Sequence, residues 1–433
     1  MFGDRCKIDS VKFKINRLGA ITNSELRLKQ FVVISGESGL GKSYVALMCN
    51  YIFYLLWSRK RLNNFFKDQG ISFNELRPNW RNEGIAFTIT KETLINWINK
   101  DIISYLSYML DSNGINADIE IDLPLPDVLK FGYSEEIEGL VNAEDYYLRL
   151  NINNALYFRT KNEDESISVE SPLSFLLRYY LIYCIFGDHN GLRYNFILPP
   201  SRGAVLAENI TPTTGLFKEF FEMLNIINSS SANQIEVDDH LLKKFKEILD
   251  GRVYKDSASG KYFYETDNAN IPISAAASSI KEIAPLSLFV NRFAISLSSI
   301  LIEEPEAHLH PLKQRMMADV ISLLVNNNAC IQITTHSDYL IRRINELVLL
   351  NQIFESKNYD EASLNNICDE VGIPSYLKLN HNCIGAYLLQ RRSDNTVEII
   401  CQSTDDGVKF DSFYTALRQN IDTRTKLVDY LDK

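Results

Sequence analysis

The chain has 433 residues, of which 45% are hydrophobic and 23% charged, so it can bury a large core and is not a disordered chain. Its longest apolar stretches, 45–57 and 175–186, are shorter than the ~20 residues that a membrane span needs, and Arg178 interrupts the second. The N-terminal MFGDRCKIDS lacks the apolar core of a secretory signal, and the seven cysteines include no CxxC spacing. We therefore expect a cytoplasmic protein with buried thiols and no membrane partner.

The net charge of −10 is concentrated in one segment. Residues 111–170 contain 14 acidic and only 4 basic side chains. An acidic surface of this kind repels the phosphate backbone of nucleic acids and suits a protein partner better. A solvated acidic face with no partner is nevertheless the interpretation that we favour. DNA binding is compatible with the short basic clusters elsewhere in the chain, but the sequence does not require it.

Hydrophobic periodicity predicts an α/β protein. Three strands are expected at 6–15, 20–28 and 31–35, followed by a buried helix at 43–62. Residues 61–260 are mixed in pattern and include predicted helices at 91–110 and 238–251. The rest of the chain predicts a helix, a strand, a helix, a strand, a hairpin and a terminal helix, at 280–293, 299–302, 311–327, 330–335, 383–401 and after 401. Strand, helix and strand in sequence imply parallel strands with crossovers.

The segment GESGLGKS fits the pattern Gly-x4-Gly-Lys-Ser and lies between an apolar strand and a helix, where a phosphate-binding loop belongs. Its glycines let consecutive N–H groups point inward at the phosphates, and the following helix adds its N-terminal dipole. We predict that Lys42 reaches the β- and γ-phosphates of ATP and that the Ser43 hydroxyl binds Mg²⁺. The predicted nucleotide-binding residues are Gly36, Glu37, Ser38, Gly39, Leu40, Gly41, Lys42, Ser43 and Tyr44.

The segment LIEEPEAHLHP (301–311) has two interpretations. Its three glutamates, with His308 and His310, are compatible with a dedicated metal site. The segment also follows an apolar strand, where a phosphate-loop enzyme needs acidic groups for Mg²⁺ and for the attacking water. We favour the second interpretation, because no cysteine or third histidine nearby completes a zinc shell. It assigns Glu303 to the magnesium side and Glu304 to the water, with the two histidines as loop and capping residues.

The segment ITTHSDYL (333–340) ends a predicted strand at Thr334 and Thr335 and continues with His336. A histidine after a strand is often only structural. Here it follows the two preceding motifs at the same predicted sheet edge, which favours a catalytic role as a donor to the γ-phosphate.

Together these motifs resemble the ATPase heads of ABC and SMC proteins, and especially the OLD-like and RecF-like AAA ATPases of bacterial anti-phage systems. The resemblance rests on GESGLGKS, SAAASSIKE (274–282), LIEEPEAHLHP and TTHSD, with a looser match at ILPPSRG (197–203). It implies a mixed sheet with flanking helices and two ATP molecules held between two copies of the chain, in a dimer or a larger homo-oligomer. By resemblance, Ser278, Ser279 and Lys281 would form the signature segment that contacts ATP on the second copy.

The resemblance also implies a domain organisation. Residues 1–60 and 261–433 would form the ATPase head, and residues 61–260 a mainly helical insertion that carries the acidic segment. The chain departs from the family pattern in several places, one of them Glu303, where many relatives have Asp. The signature usually has glycine where this chain has Ser279 or Ile280, and the roughly 95 residues after His336 show no acidic cluster typical of a TOPRIM nuclease. A nuclease or other effector would then be a separate protein.

Three functions follow from the sequence. The favoured one is a slow switch ATPase that senses a trigger and holds or activates a separate effector in anti-phage defence. The second is a DNA-repair or DNA-binding ATPase of the RecF type. The third is a scaffold in which bound nucleotide is structural and hydrolysis is negligible.

Overall fold

The structure is a computed structural model that describes residues 8–72, 84–140, 143–161, 171–187, 192–207, 211–229, 238–356, 358–405, 407–409 and 411–431. The strands are β1 (Lys12–Leu18), β2 (Ile21–Arg27), β3 (Phe31–Gly36), β4 (Gly84–Thr90), β5 (Ala117–Asp122), β6 (Val128–Leu140), β7 (Ala143–Ile152), β8 (Leu156–Lys161), β9 (Tyr194–Leu198), β10 (Arg252–Lys255), β11 (Tyr262–Glu265), β12 (Asn270–Pro272), β13 (Ser298–Glu303), β14 (Cys330–Thr335), β15 (Ile384–Arg391) and β16 (Val397–Gln402). The helices are α1 (Lys42–Trp57), α2 (Arg61–Asp68), α3 (Lys91–Leu110), α4 (Pro172–Phe186), α5 (Gly203–Ala207), α6 (Gly215–Ser229), α7 (Asp239–Leu249), α8 (Ser278–Val290), α9 (Pro311–Asn326), α10 (Asp338–Glu355), α11 (Glu361–Val371) and α12 (Asp411–Leu431).

A mixed sheet of nine strands lies at the centre, in the order β5-β1-β2-β16-β15-β3-β14-β13-β9. The strands β15, β3, β14, β13 and β9 are mutually parallel, whereas β5, β1 and β2 form an antiparallel extension. This arrangement confirms the predicted α/β fold with a mixed sheet. It also places the C-terminal ends of β3, β13 and β14 at one edge, where ligands bind in open α/β sheets.

The sheet divides the core into two layers. Along β3, Val32 and Ile34 belong to the hydrophobic cluster that contains α1, α3 and α4. The alternate residues Phe31 and Val33 belong to the second cluster, with α6 to α10. Both faces of the strand are therefore buried, which explains the continuous apolar run FVVI in the sequence.

A buried polar cluster fixes helix α1 on the sheet. The Asn50 side chain is fully buried and its Nδ2 donates to Asn195 Oδ1 at 3.0 Å and to Gln332 Oε1 at 3.2 Å. Its Oδ1 accepts a hydrogen bond of 3.1 Å from the Tyr105 hydroxyl on α3. Buried amides that are hydrogen-bonded in this way hold elements in a defined register. The helix that begins at the phosphate loop is thus tied to β9, β14 and α3.

The segment 61–260 differs from the prediction of a mainly helical insertion. Residues 61–260 contain α2 to α7, but they also contain an antiparallel sheet in the order β4-β6-β7-β8. In addition, β5 pairs with β1 and β9 pairs with β13, so both are strands of the central sheet. The local pattern could not show this, because each partner lies about a hundred residues away in sequence. Where the domain boundaries fall, near residues 60 and 260, stays a prediction.

Candidate nucleotide site

The loop between β3 and α1 has the conformation that its glycines were predicted to allow. Gly36, Gly39 and Gly41 have φ values of 134°, 76° and 94°, a region that residues with a Cβ rarely adopt. Helix α1 begins at the next residue, Lys42, so its unpaired N–H groups and its dipole face the loop. Glu37 and Ser38 are exposed, while Leu40 is buried and Tyr44 packs against the first hydrophobic cluster.

Lys42 lies inside this loop and close to three carboxylates. Its ammonium donates to the carbonyl oxygens of Gly36 at 3.1 Å and Glu37 at 2.8 Å. Burial lowers the pKa of Lys42, and the charges of Glu304, Glu306 and Glu303 oppose that shift. The lysine that the sequence predicts for the phosphates is therefore beside the predicted acidic motif.

Glu303 ends strand β13 and faces the start of α1. The Ser43 hydroxyl donates to Glu303 Oε2 in a short hydrogen bond, although the two residues are 260 positions apart. Glu303 is only 3% exposed, and this burial raises the pKa of its carboxyl above the usual value. The hydrogen bond from Ser43 and the nearby cations Arg202 and Lys42 act in the opposite direction.

The Ser43 and Glu303 side chains fit a magnesium ion by their chemistry. A hydroxyl and a carboxylate oxygen are the hard ligands that Mg²⁺ takes in small number, with water and phosphate oxygens completing its shell. Among the described residues, no group of three or more His, Cys, Asp and Glu side chains is placed to hold a metal by itself.

Glu304 is turned out of the strand towards the loop. Its φ is 47°, and its backbone N–H donates to Thr334 O at 3.1 Å and to Thr334 Oγ1 at 3.2 Å. These contacts to β14 hold an unusual backbone conformation. The carboxylate is 44% exposed and lies 3.7 Å from His336 Nε2. An accessible carboxylate beside a histidine is the arrangement that activation of a water requires.

His336 follows β14 and lies beside the phosphate loop. Burial and the Lys42 ammonium lower the pKa of His336, whereas Glu304 and a hydrogen bond to the Gly36 backbone raise it. The net direction is downward, which favours the neutral imidazole near pH 7. One nitrogen of a neutral imidazole carries a proton and can donate it to an oxygen.

Glu306 is a site residue to which the favoured interpretation of its motif gave no role. Its Oε1 accepts hydrogen bonds from Thr335 Oγ1 at 2.8 Å and from the backbone N–H of His336 at 2.6 Å. Burial raises the pKa of this carboxyl, and its Oε2 has no hydrogen-bond partner among the described residues. Glu306 thus fixes the backbone that carries His336. The third carboxylate of the EEPE motif was the signal that pointed to it.

The two histidines of the loop lie apart from this cluster. His308 is exposed with φ 60°, and His310 is exposed and caps α9, its Nδ1 accepting from the Leu312 N–H at 3.4 Å. Pro311 occupies the first turn of that helix, as expected for a residue without an N–H. The capping role predicted for His310 agrees with this geometry.

The predicted signature residues lie at the start of α8. Ser278 is exposed and Ser279 is half-buried, while Lys281 Nζ donates to Ser274 O at 2.7 Å. Within the described residues, none of the three hydrogen-bonds to the loop 36–43. The structure therefore unites five predicted site residues, Lys42, Ser43, Glu303, Glu304 and His336. The signature residues make no hydrogen bond to this group among the described residues.

The chain shares features with known ATPases. Residues 202–341 match the model of the AAA ATPase domain. This segment includes Glu303, Glu304, His336 and the signature residues, and it begins after the phosphate loop. No curated protein matches the chain.

Among solved structures, the chain is similar to SMC head domains at low identity. The Smc head bound to the C-winged helix domain of ScpA is 11% identical with a TM-score of 0.39, and the match covers 92% of this chain and 97% of that one. The Smc head with an extended coiled coil from Pyrococcus furiosus, bound to the C-terminal domain of ScpA, is 11% identical with a TM-score of 0.37, covering 98% and 99%. The SMC head of Thermotoga maritima is 8% identical with a TM-score of 0.33, covering 90% and 98%.

The described residues contain no helix that is both apolar enough and long enough to cross a lipid bilayer.

Proposed function

We propose that the protein binds Mg²⁺-ATP at the loop 36–43 and hydrolyses it slowly, as a switch. The observation that carries this proposal is the convergence of three parallel strands on one site. The loop after β3 provides Lys42 and Ser43, the end of β13 provides Glu303 and Glu304, and the end of β14 provides His336. The AAA ATPase match over residues 202–341 supports the same activity.

Each residue has a role in this proposal that its surroundings support. The loop N–H groups and Lys42 would hold the phosphates, as consecutive amides and a lysine do in phosphate loops. Ser43 and Glu303 would hold Mg²⁺, which supplies charge neutralisation on the phosphate oxygens. Glu304 would accept a proton from the attacking water, because its carboxylate is the exposed one. The neutral His336 would donate a hydrogen bond to the γ-phosphate.

We further propose that two copies of the chain enclose ATP between them. The exposed Ser278 and the half-buried Ser279, at the N-terminus of α8, would contact the nucleotide of the second copy together with Lys281. Helix N-termini are suited to anions, because their N–H groups are unpaired. ATP binding would stabilise the closed pair by mass action, and hydrolysis would release it.

In the cell, we propose that this switch is the sensor subunit of an anti-phage defence system and acts on a separate effector. The motif resemblance supports this role, and the excess of acidic residues in the segment 111–170 suits a protein partner better than DNA. The alternative is a DNA-repair ATPase, which would need basic contacts to the phosphate backbone.

The test uses Glu304→Gln and Lys42→Met. In Glu304→Gln we expect kcat for ATP to fall by about 10²- to 10⁴-fold, the usual contribution of a general base, with the ATP Kd unchanged within threefold. Lys42→Met should instead lose ATP affinity. Steady-state phosphate release, calorimetric titration with Mg²⁺-ATP and light scattering measure turnover, binding and self-association. Unchanged turnover in purified Glu304→Gln, or no heat of binding in the wild type, would refute the ATPase.

The same Glu304→Gln protein tests the cellular role, because it should accumulate in the closed, ATP-bound form. Its affinity purification with ATP is expected to retain an effector that Lys42→Met loses. Tight DNA binding that weakens steeply with salt would support the repair alternative instead.

A further inference from the structure

Arg202 is a buried cation beside the candidate site, where it contacts the backbone of Glu303. It follows β9 in the segment ILPPSRG and is only 2% exposed. Its Nε donates to Glu282 O at 2.9 Å, and its Nη1 donates to Pro199 O at 3.2 Å and to Glu303 O at 2.8 Å. One guanidinium thus joins carbonyl groups at the ends of β9 and β13 to a carbonyl in α8.

Glu282 completes this contact from the side of α8. The residue is 4% exposed, and its Oε2 lies 3.6 Å from Arg202 Nε. Its Oε1 accepts a hydrogen bond of 3.1 Å from the Gly203 N–H. A Cβ on Gly203 would lie 2.7 Å from Lys281 Cβ and 3.0 Å from the Lys281 carbonyl carbon, so α5 packs directly on the first turn of α8.

Stability alone does not explain a buried ion pair of this kind, because two packed apolar side chains are often at least as stabilising. What such a pair adds is a defined geometry between the elements it joins. The planar guanidinium has several donors in a fixed arrangement, so it specifies the mutual positions of three carbonyl groups in a way that lysine cannot. Among the described residues, no other hydrogen bond joins α8 to the end of β13.

Arg202 joins the strand that leads to Glu304 to the helix that is proposed to contact the nucleotide of the second copy. The Glu303 carbonyl group belongs to the peptide bond that leads to Glu304, so its position sets where the Glu304 carboxylate lies. Glu282 is one turn after Ser278, in the helix that would contact the nucleotide of the second copy. Arg202 therefore bridges the acidic strand and that helix.

We propose that Arg202 and Glu282 are a positioning pair that couples the placement of Glu304 in one site to the placement of helix α8 against the second copy. This inference rests on the proposed ATPase function and on two copies closing around ATP. Movement of α8 on closure is transmitted through the guanidinium to the Glu303–Glu304 peptide bond. Hydrolysis is then fast only when α8 is seated on its partner.

The test compares Arg202→Lys and Glu282→Gln with a matched control, Arg343→Lys. Arg343 is also a buried arginine, 8% exposed and bonded to Asp319 and Glu346, but it lies on α10 away from the site. The measurements are kcat and KM for ATP, the Kd of Mg²⁺-ATP, and self-association with ATP in a Glu304→Gln background.

We expect Arg202→Lys to lower kcat by about 100-fold, the size of effect that a misplacement of about 1 Å produces, with KM and Kd unchanged within twofold. ATP-dependent self-association should weaken at least tenfold. Glu282→Gln keeps one acceptor for Gly203 and should show a smaller loss of kcat in the same direction. Arg343→Lys should lower the melting temperature but keep kcat within twofold.

Three results would overturn the coupling. One is a kcat in Arg202→Lys within twofold of the wild type. Another is a rise in KM and Kd that accounts for the whole loss, which would make Arg202 a support of the phosphate loop only. A third is an equal loss of kcat in Arg343→Lys, which would reflect general destabilisation. A wild-type protein that binds and hydrolyses no ATP would refute the proposed function itself, and the coupling with it.

Discussion

A comparison of Gly36→Ala with Gly39→Ala tests whether the shape of the phosphate loop is set by its neighbours or only by its backbone angles. Both residues have positive φ, at 134° and 76°, so alanine at either position is strained by about 1–2 kcal/mol. Only Gly36 is crowded. A Cβ there would lie 2.5 Å from Leu389 O and 3.2 Å from Leu389 Cβ on the paired strand β15, whereas a Cβ on Gly39 would meet nothing within 4 Å.

The magnitude follows from this difference. Overlap with a backbone carbonyl of a buried strand forces a local shift, which costs about 1–3 kcal/mol in overpacked cores. We therefore expect Gly36→Ala to lower the free energy of unfolding by about 4 kcal/mol and Gly39→Ala by about 1 kcal/mol. The entropy that alanine removes from the unfolded chain is similar at both positions and cancels in the comparison.

Urea unfolding followed by circular dichroism, without nucleotide, measures both values. The difference between the two midpoints is the informative quantity, since it isolates the contact with Leu389. Equal losses in the two variants would show that β15 yields at no cost, and the reasoning would be wrong.

Three further predictions concern the charged groups. Glu303→Gln should stabilise the nucleotide-free protein by about 1 kcal/mol at pH 8 while abolishing Mg²⁺-dependent hydrolysis, because burial raises the pKa of Glu303 and its ionised form destabilises the fold. The sign follows from proton binding: above pH 4.5 the carboxyl holds its proton more tightly in the folded than in the unfolded chain, so wild-type stability falls as pH rises. The stability gained by Glu303→Gln should therefore be larger at pH 8 than at pH 5. Thermal melts at the two pH values measure it, and a smaller gain at pH 8 would contradict the prediction. The lowered pKa of His336 has the opposite consequence, because below pH 6.5 the unfolded chain binds the proton more readily than the folded one. The wild type should therefore lose stability on acidification relative to His336→Gln. The same dependence of melting temperature on pH in both proteins, between pH 5 and pH 8, would disprove this. Finally, Arg343→Met should lower the free energy of unfolding by about 3 kcal/mol, because Asp319 stays buried with Lys244 at 3.5 Å as its remaining cation among the described residues. Adding Asp319→Leu should recover most of this loss, as measured by urea unfolding. No recovery would mean that the ion pair is not the cause.

The parts of the fold that sequence reasoning predicted well are those whose pattern is local. Strand β14 was predicted at residues 330–335, where the structure places it, because the run CIQITT is buried on both faces. Helix α3 was likewise predicted at 91–110, and the structure shows it starting after the capping residue Thr90, whose hydroxyl accepts from the Thr93 N–H. The residues of these segments themselves indicate where each element begins and ends.

What could not be predicted depends on contacts between distant residues. Strands β5 and β9 look like ordinary short strands in a mixed region, and only pairing with β1 and β13 places them in the central sheet. Arg202 appeared in the sequence only as part of a loosely similar segment. Its three acceptors are backbone carbonyls, which leave no trace in the residue types. The candidate site was predictable because its motifs follow strand ends. The buried contacts of Arg202 behind the site were not predictable.

The positions of β5 and β9 also bear on how this protein could be divided or built. Each lies at an outer margin of the nine-stranded sheet, one beside β1 and the other beside β13. Excising residues 61–260 would remove both edge strands at once and leave two rows of unpaired amide and carbonyl groups, which are templates for aggregation. An engineered minimal version of this protein would therefore have to keep the strands at 117–122 and 194–198, and residues 61–260 cannot be a detachable appendage.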